Sequence, residues 1–153
     1  MVTLLMFKTC EPMIDSSMLT AVVRKAHFNA AHRLYNPKWS EEKNKVVFGL
    51  CTNPNWHGHN YDLEVRVVGK VDPDTGYLID LKLLNNCIKT HVTDKLDHRN
   101  LNVEVEEFSS LIPTVENIAM VIYNRLRPHI DNSLDLYITL WETPRNRAEY
   151  PAR

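Results

Sequence analysis

Three cysteines in 153 residues, at positions 10, 51 and 87, are odd in number and widely spaced. That excludes a disulfide framework and predicts a reducing cytoplasm. Excess charge is missing as well: 18 basic residues against 19 acidic ones leave a net charge of −1. No broad basic face for nucleic acid follows from such a balance. No apolar run is long enough to cross a membrane. The first residues, with Lys8 and Glu11 among them, lack the charged-then-apolar order of a signal peptide. Repeats and low-complexity stretches are absent too. What is there is the composition of an ordinary globule, 44% apolar and 24% charged, in a length that suits one domain with a real core.

The organising stretch is Cys51-Thr52-Asn53-Pro54-Asn55-Trp56-His57-Gly58-His59-Asn60-Tyr61, which gathers one thiol and two imidazoles within nine residues. Tyr61, Leu63, Val65 and Val67 alternate with Asp62, Glu64 and Arg66, the period of a half-buried strand that ends at Gly69. His57 and His59 are in phase with the apolar set, and two imidazoles at i and i+2 on a strand can share one metal ion. Thr52 to Asn55, with Pro54 inside, reads as a turn that folds Cys51 back towards the pair. A lone His-x-His is more often a packing or surface pair than a ligand pair. Here a cysteine lies close by, a third histidine lies upstream and a carboxylate-histidine pair lies downstream.

Residues 1–18 show no period and read as a tail, leaving 19–153 as the domain. Met18 to His32 is strand-like, with Phe28, Ala30 and His32 on one face; Asn36 to Asn44, containing Pro37, reads as a loop. Asp72-Pro73-Asp74-Thr75-Gly76 is a turn, and Tyr77-Leu78-Ile79 a short return strand that closes a hairpin. Asp80 caps a helix whose stripe is Leu81, Leu84, Ile88, Val92 and Leu96. Asp97-His98-Arg99-Asn100 follows as a loop. Pro113-Thr114 opens a second helix, with Val115, Ile118, Ala119, Ile122 and Leu126 inward and Pro128 at its end. Leu134 to Glu142 is a strand, with Leu134, Leu136, Ile138 and Leu140 inward and Glu142 on the same phase. Arg145 to Tyr150 forms an edge strand. The pattern predicts an α+β domain with both helices on one face of an antiparallel sheet.

His32, His57 and His59 supply three nitrogen donors, the set of a catalytic zinc site with one open position. Cys51 either closes that site as a fourth ligand or stands beside the metal as a base. Asp97-His98 offers a second proton-transfer group, and Glu142 can accept two hydrogen bonds from a planar amidine-like edge. The residues alone lead to a metal-assisted proton-transfer or elimination enzyme. A zinc-stabilised module without activity and a hydrolase using a zinc-bound water are the readings from other classes.

Phe48-Gly49-x-Cys51-x-Asn53-Pro54-Asn55-x-His57-Gly58-His59-Asn60-Tyr61 resembles the signature of the 6-pyruvoyl-tetrahydropterin synthase and 6-carboxytetrahydropterin synthase family. The resemblance continues through Gly69-x-Val71-Asp72-Pro73-x-Thr75-Gly76, Leu96-Asp97-His98-x-Asn100-Leu101, Pro113-Thr114-x-Glu116-Asn117 and Glu142-Thr143. It implies zinc held by His32, His57 and His59, a pterin ring anchored by Glu142 with Thr114 and Glu116 near the pocket, Cys51 as general base, and Asp97 with His98 as a second relay. It implies the tunnelling fold, in which sheets of several subunits join into a barrel, usually as a hexamer of two trimers with active sites between subunits. The substrate implied is 7,8-dihydroneopterin triphosphate. The product is 6-pyruvoyl-tetrahydropterin after loss of triphosphate, or, in the enzymes serving queuosine synthesis, 6-carboxytetrahydropterin with release of acetaldehyde. Leu50 and Trp56 depart from the Lys and Gly of the animal enzymes, whereas the five residues between Cys51 and His57 match the pyruvoyl group.

Overall fold

Two long strands set the geometry of everything else. In the computed structural model, which describes residues 18–152, β1 (Thr20–His32) and β2 (His57–Gly69) pair antiparallel from Thr20 opposite Gly69 to His32 opposite His57. Residues 1–17, and with them most of the expected tail and Cys10, lie outside the described residues. β4 (Asp135–Thr143) takes the other edge of β2, with Leu140 opposite Leu63, and β5 (Asn146–Tyr150) turns back along β4. A two-residue strand, β3 (Arg99–Asn100), pairs parallel with β1 at Ala30 and Ala31, giving the order β3-β1-β2-β4-β5.

Alternation puts Phe28 and Ala30, then Tyr61, Leu63, Val65 and Val67, then Leu136, Ile138 and Leu140 on one buried face. Two helical segments cover it. α2 (Leu81–Ile88), capped by Asp80, runs through a π turn (Lys89–Thr93) into α3 (Asp94–Leu96). It buries Leu84, Ile88, Val92 and Leu96, whereas Leu81 stays exposed. After a short helix, α4 (Leu101–Glu104), comes α5 (Val115–Leu126), capped by Thr114, which buries Ile118, Ala119, Ile122 and Leu126. The expected α+β architecture with its helices on one face is therefore present.

Three local expectations are corrected. The stretch expected as a loop from Asn36 to Asn44 instead runs into helix α1 (Glu41–Phe48), capped by the Ser40 hydroxyl, which accepts from the Lys43 N–H. Asn44, on that helix, is fully buried and replaces a backbone partner. Its Oδ1 accepts from the Asn36 N–H at 2.7 Å and its Nδ2 donates to the Asn36 carbonyl at 3.0 Å. Tyr77 to Ile79 is not a strand. The turn forms, with the Asp72 N–H on the Tyr77 carbonyl at 2.8 Å, but both edges of β2 are already taken by β1 and β4, so a returning strand has nowhere to pair. The expected loop Asp97 to Asn100 is a turn that ends in β3.

Candidate metal centre and active site

His32 ends β1 and His57 begins β2, directly opposite it; His59 lies two residues further along the same face. One nitrogen from each converges, the three lying within 4.8 Å of one another. His32 Nε2 and His57 Nε2 are 3.0 Å apart. His32 is fully buried, and its Nδ1 lies 2.7 Å from the Pro113 carbonyl oxygen. A carbonyl only accepts, so Nδ1 carries the proton and Nε2 presents its lone pair to the cluster, the arrangement that orients metal-binding imidazoles. Burial pushes His32 down to about 4, against the opposing effect of the Pro113 bond. Burial, and then His59, lowers His57 as well. Both rings are neutral near pH 7, the form that binds a metal.

His57 Nδ1 and His59 Nε2 are buried with no hydrogen-bond partner. Orphaned ring nitrogens in a half-buried cluster are costly unless something engages them. Three converging imidazoles, a carbonyl behind the first of them and no thiolate in the converging set fit a zinc ion with an open position.

Glu142, on the inward phase of β4, has not emerged into solvent: its side chain is 20% exposed, with Oε1 3.4 Å from His32 Nε2 and 3.8 Å from His59 Nε2. Burial raises its carboxyl above the usual range and Glu116 adds to that, while His59 opposes it. Thr114 caps α5 by accepting from the Asn117 N–H at 3.4 Å, and Glu116 lies in the first turn. The Pro113 carbonyl ties this helix start to His32. Glu116, Glu142 and the three histidines thus come together, with Thr114 next in the chain to Pro113 at the helix start.

Cys51 lies in a 3₁₀ turn (Gly49–Thr52), its carbonyl accepting from the Leu34 N–H at 2.9 Å. That bond folds the cysteine back to the end of β1. Cys51 lines a cleft of ≈ 990 Å³ shared with Arg33, Lys45, Leu50, His57 and His59. Burial, and then Glu142, pushes its thiol up.

Asp97 and His98 also meet, beside a hollow that reaches His59. Asp97 Oδ1 accepts from the Asn29 N–H at 2.7 Å and Oδ2 lies 2.9 Å from His98 Nδ1. The Asn29 bond is the largest cause holding Asp97 below the usual carboxylate range. His98 has a φ of 58°, its side chain is 78% exposed, and it borders a hollow with Asn29, Gly58, Asn60 and His59, the last of which also lines the cleft of Cys51. The cleft of Cys51 does not contain His98. Two contributors have no counterpart in the sequence reading: the Pro113 carbonyl and Arg33. The first is a backbone atom and leaves no signature; the second was visible only as the neighbour of His32.

A family model described as 6-pyruvoyl tetrahydropterin synthase matches residues 21–153. The 6-pyruvoyl tetrahydrobiopterin synthase of Poecilia reticulata is 40% identical over 129 residues, 84% of this chain and 88% of that protein. The human protein of the same name is 37% identical over 129 residues, 84% of this chain and 89% of its own length. The solved structure of Caenorhabditis elegans 6-pyruvoyl tetrahydropterin synthase superposes with a TM-score of 0.82 at 38% identity, covering 89% of this chain and 97% of that one.

Proposed function

The chain belongs to the 6-pyruvoyl tetrahydropterin synthase family, and on that premise we propose that it is a zinc-dependent lyase converting 7,8-dihydroneopterin triphosphate to 6-pyruvoyl tetrahydropterin with loss of triphosphate. The observation that carries this reading is the convergence of His32, His57 and His59 beside the carboxyl of Glu142. Those imidazoles would hold the zinc, which when bound polarises side-chain oxygens of the substrate and acidifies the neighbouring C–H bonds.

The protein's own groups do the rest. Glu142 takes the amino-pyrimidinone edge of the pterin, with Thr114 and Glu116 beside it. Cys51 removes a proton from the side chain. His98 returns one, its Nδ1 held by Asp97 so that Nε2 is left for transfer. The thiol is pushed up by its surroundings, so its work as a base needs a nearby cation. A structural zinc module is disfavoured because Cys51 stands outside the converging donors.

The hollow of His98 and the cleft of Cys51 share only His59 in their linings, and with the family resemblance this leads us to place the complete site between subunits. β3 pairs with β1 only at Ala30 and Ala31, which leaves the outer edge of β1 from Thr20 onward for a neighbour's strand. The assembly is a hexamer of two trimers in the tunnelling fold, built from residues 19–153. Among the described residues no helix is long and apolar enough to cross a membrane. We place the enzyme in the cytoplasm, where a working thiol such as Cys51 stays reduced.

The test is mass spectrometry of the products formed from 7,8-dihydroneopterin triphosphate by zinc-loaded protein. The 6-pyruvoyl pterin with free triphosphate is expected. A 6-carboxy pterin with acetaldehyde would reassign the product, and an untouched substrate would overturn the reading.

A further inference from the structure

The cleft of Cys51 holds two cations that the proposed chemistry has not used. Arg33 and Lys45 line it together with His57 and His59. Arg33 is fixed from every side but one. Its backbone N–H donates to Asn102 Oδ1 at 2.7 Å, and its carbonyl accepts from Asn102 Nδ2 at 3.0 Å. Its Nε donates to the Thr52 carbonyl at 2.8 Å, and its guanidinium lies 4.1 Å from the centre of the Tyr35 ring. Tyr35 is steadied in turn by its hydroxyl, which donates to Glu41 Oε1 at 3.0 Å. What is left free, among the described residues, is the terminal pair Nη1 and Nη2.

A guanidinium held at Nε and stacked on a ring is a prepaid fork for phosphate, because little of its rotamer freedom remains to be lost on binding. Lys45, in the last turn of α1, is exposed and makes no ion pair among the described residues; Lys43 nearby is engaged over Trp39. Glu41 also lines the cleft, but one of its oxygens is taken by Tyr35. The cleft therefore offers one rigid and one mobile cation in the same hollow as the imidazoles.

We infer that Arg33 and Lys45 hold the triphosphate of the substrate, the guanidinium as a fixed fork and the ammonium as a mobile counter-charge; this rests on the lyase reading above. In the elimination a proton leaves carbon to the base and the C–O bond to triphosphate breaks. Its electron pair stays on the triphosphate oxygen, so the added charge develops beside these two cations.

The probe is inorganic tripolyphosphate, titrated calorimetrically into zinc-loaded protein, with zinc content measured before and after because polyphosphates bind metals. Lys45→Met should weaken binding by about fivefold, and Arg33→Lys, which keeps the charge but loses the fork, by about tenfold or more. Binding of 7,8-dihydroneopterin, which carries no phosphate, should change less than about twofold in both. Lys45 is an exposed helix position, so its variant keeps the test open should Arg33→Lys fold poorly. Wild-type affinity for tripolyphosphate in the folded variants overturns the inference. So does wild-type protein that ignores tripolyphosphate while consuming the substrate, and that outcome leaves the lyase reading standing. Tripolyphosphate bound through both residues by a protein that leaves the substrate untouched keeps the anion site and sinks the lyase reading instead.

Discussion

Metal-free protein taken from pH 7 to pH 4 should lose about 3 kcal/mol of stability through His32 alone. The ring is fully buried, and that burial lowers it from the ordinary value of 6.5 to about 4. Glu142 at 3.4 Å and the bond to Pro113 favour the imidazolium, but burial outweighs them. The sign follows. As pH falls through 6.5, the unfolded chain takes up the proton and the folded chain does not, so unfolding becomes easier. The loss grows until about 4, where the folded protein accepts the proton too, and then levels off. A gap of that width, at about 1.4 kcal/mol for each tenfold change in proton affinity, gives the figure above. Glu142 works in the opposite direction, since its raised carboxyl favours the folded state as pH drops. Comparison with His32→Gln, which keeps a donor for Pro113 but cannot titrate, removes that contribution from the difference. Urea unfolding at one fixed protein concentration, repeated at intervals from pH 7 to 4, measures both proteins. The wild-type curve should fall more steeply by about the stated amount; parallel curves would refute the assignment of a buried, neutral His32.

Cys51→Ala should keep its zinc and its affinity for pterin yet lose turnover by about 10²-fold or more, whereas His57→Ala should lose zinc first and activity in consequence. Metal content and turnover on one preparation decide this, and loss of zinc from Cys51→Ala would make the cysteine a ligand. Glu142→Gln exchanges one acceptor for a donor and should weaken pterin binding by about 2–5 kcal/mol, as read by titration; equal affinities would count against Glu142 as the anchor. Sedimentation at micromolar concentration should find a hexamer, and a monomer there would sink the shared-site assembly.

Sequence periodicity identified the elements that bear a buried row. Tyr61 to Val67 and Leu136 to Leu140 alternate cleanly because one face of each strand is core. α1 escaped for the opposite reason. Its buried residue is Asn44 and its exposed ones include Val46 and Val47, so its pattern is inverted and reads as a polar loop. The hairpin at Tyr77 failed because strand propensity is local whereas a free sheet edge is a property of the whole topology. At the site, the three histidines were legible from phase, but that His32 stands opposite His57 is fixed by thirteen residues of pairing between β1 and β2. That Cys51 and His98 reach two hollows joined at His59 was not legible at all. It depends on which hollow of the folded sheet each loop reaches.

The helical segment from α2 to α3 carries a subtler message. Leu84, Ile88, Val92 and Leu96 recur every four residues. In an α-helix of about 3.6 residues per turn, each such step overshoots by about 40°, so three steps would turn Leu96 about 120° away from Leu84. Yet all four are buried to 2% exposure or less. The π turn Lys89–Thr93 absorbs the drift by adding a residue to the turn without breaking the segment. It thereby delivers Leu96 to the core and Asp97 to the N–H of Asn29. The turn has the form of a one-residue insertion in an ordinary helix, and removing a residue should restore one. Deleting the exposed Thr90 would leave apolar residues spaced by four, three and four, an α-helical stripe. The deletion should fold with wild-type helix content. Its cost should be about 1 kcal/mol, the order of the ring contact between His91 and His129 that it disturbs. Circular dichroism with urea unfolding measures both quantities, and a deletion protein that fails to fold, or that loses a helix, would show that the π turn is required in itself and is not an accommodated extra residue.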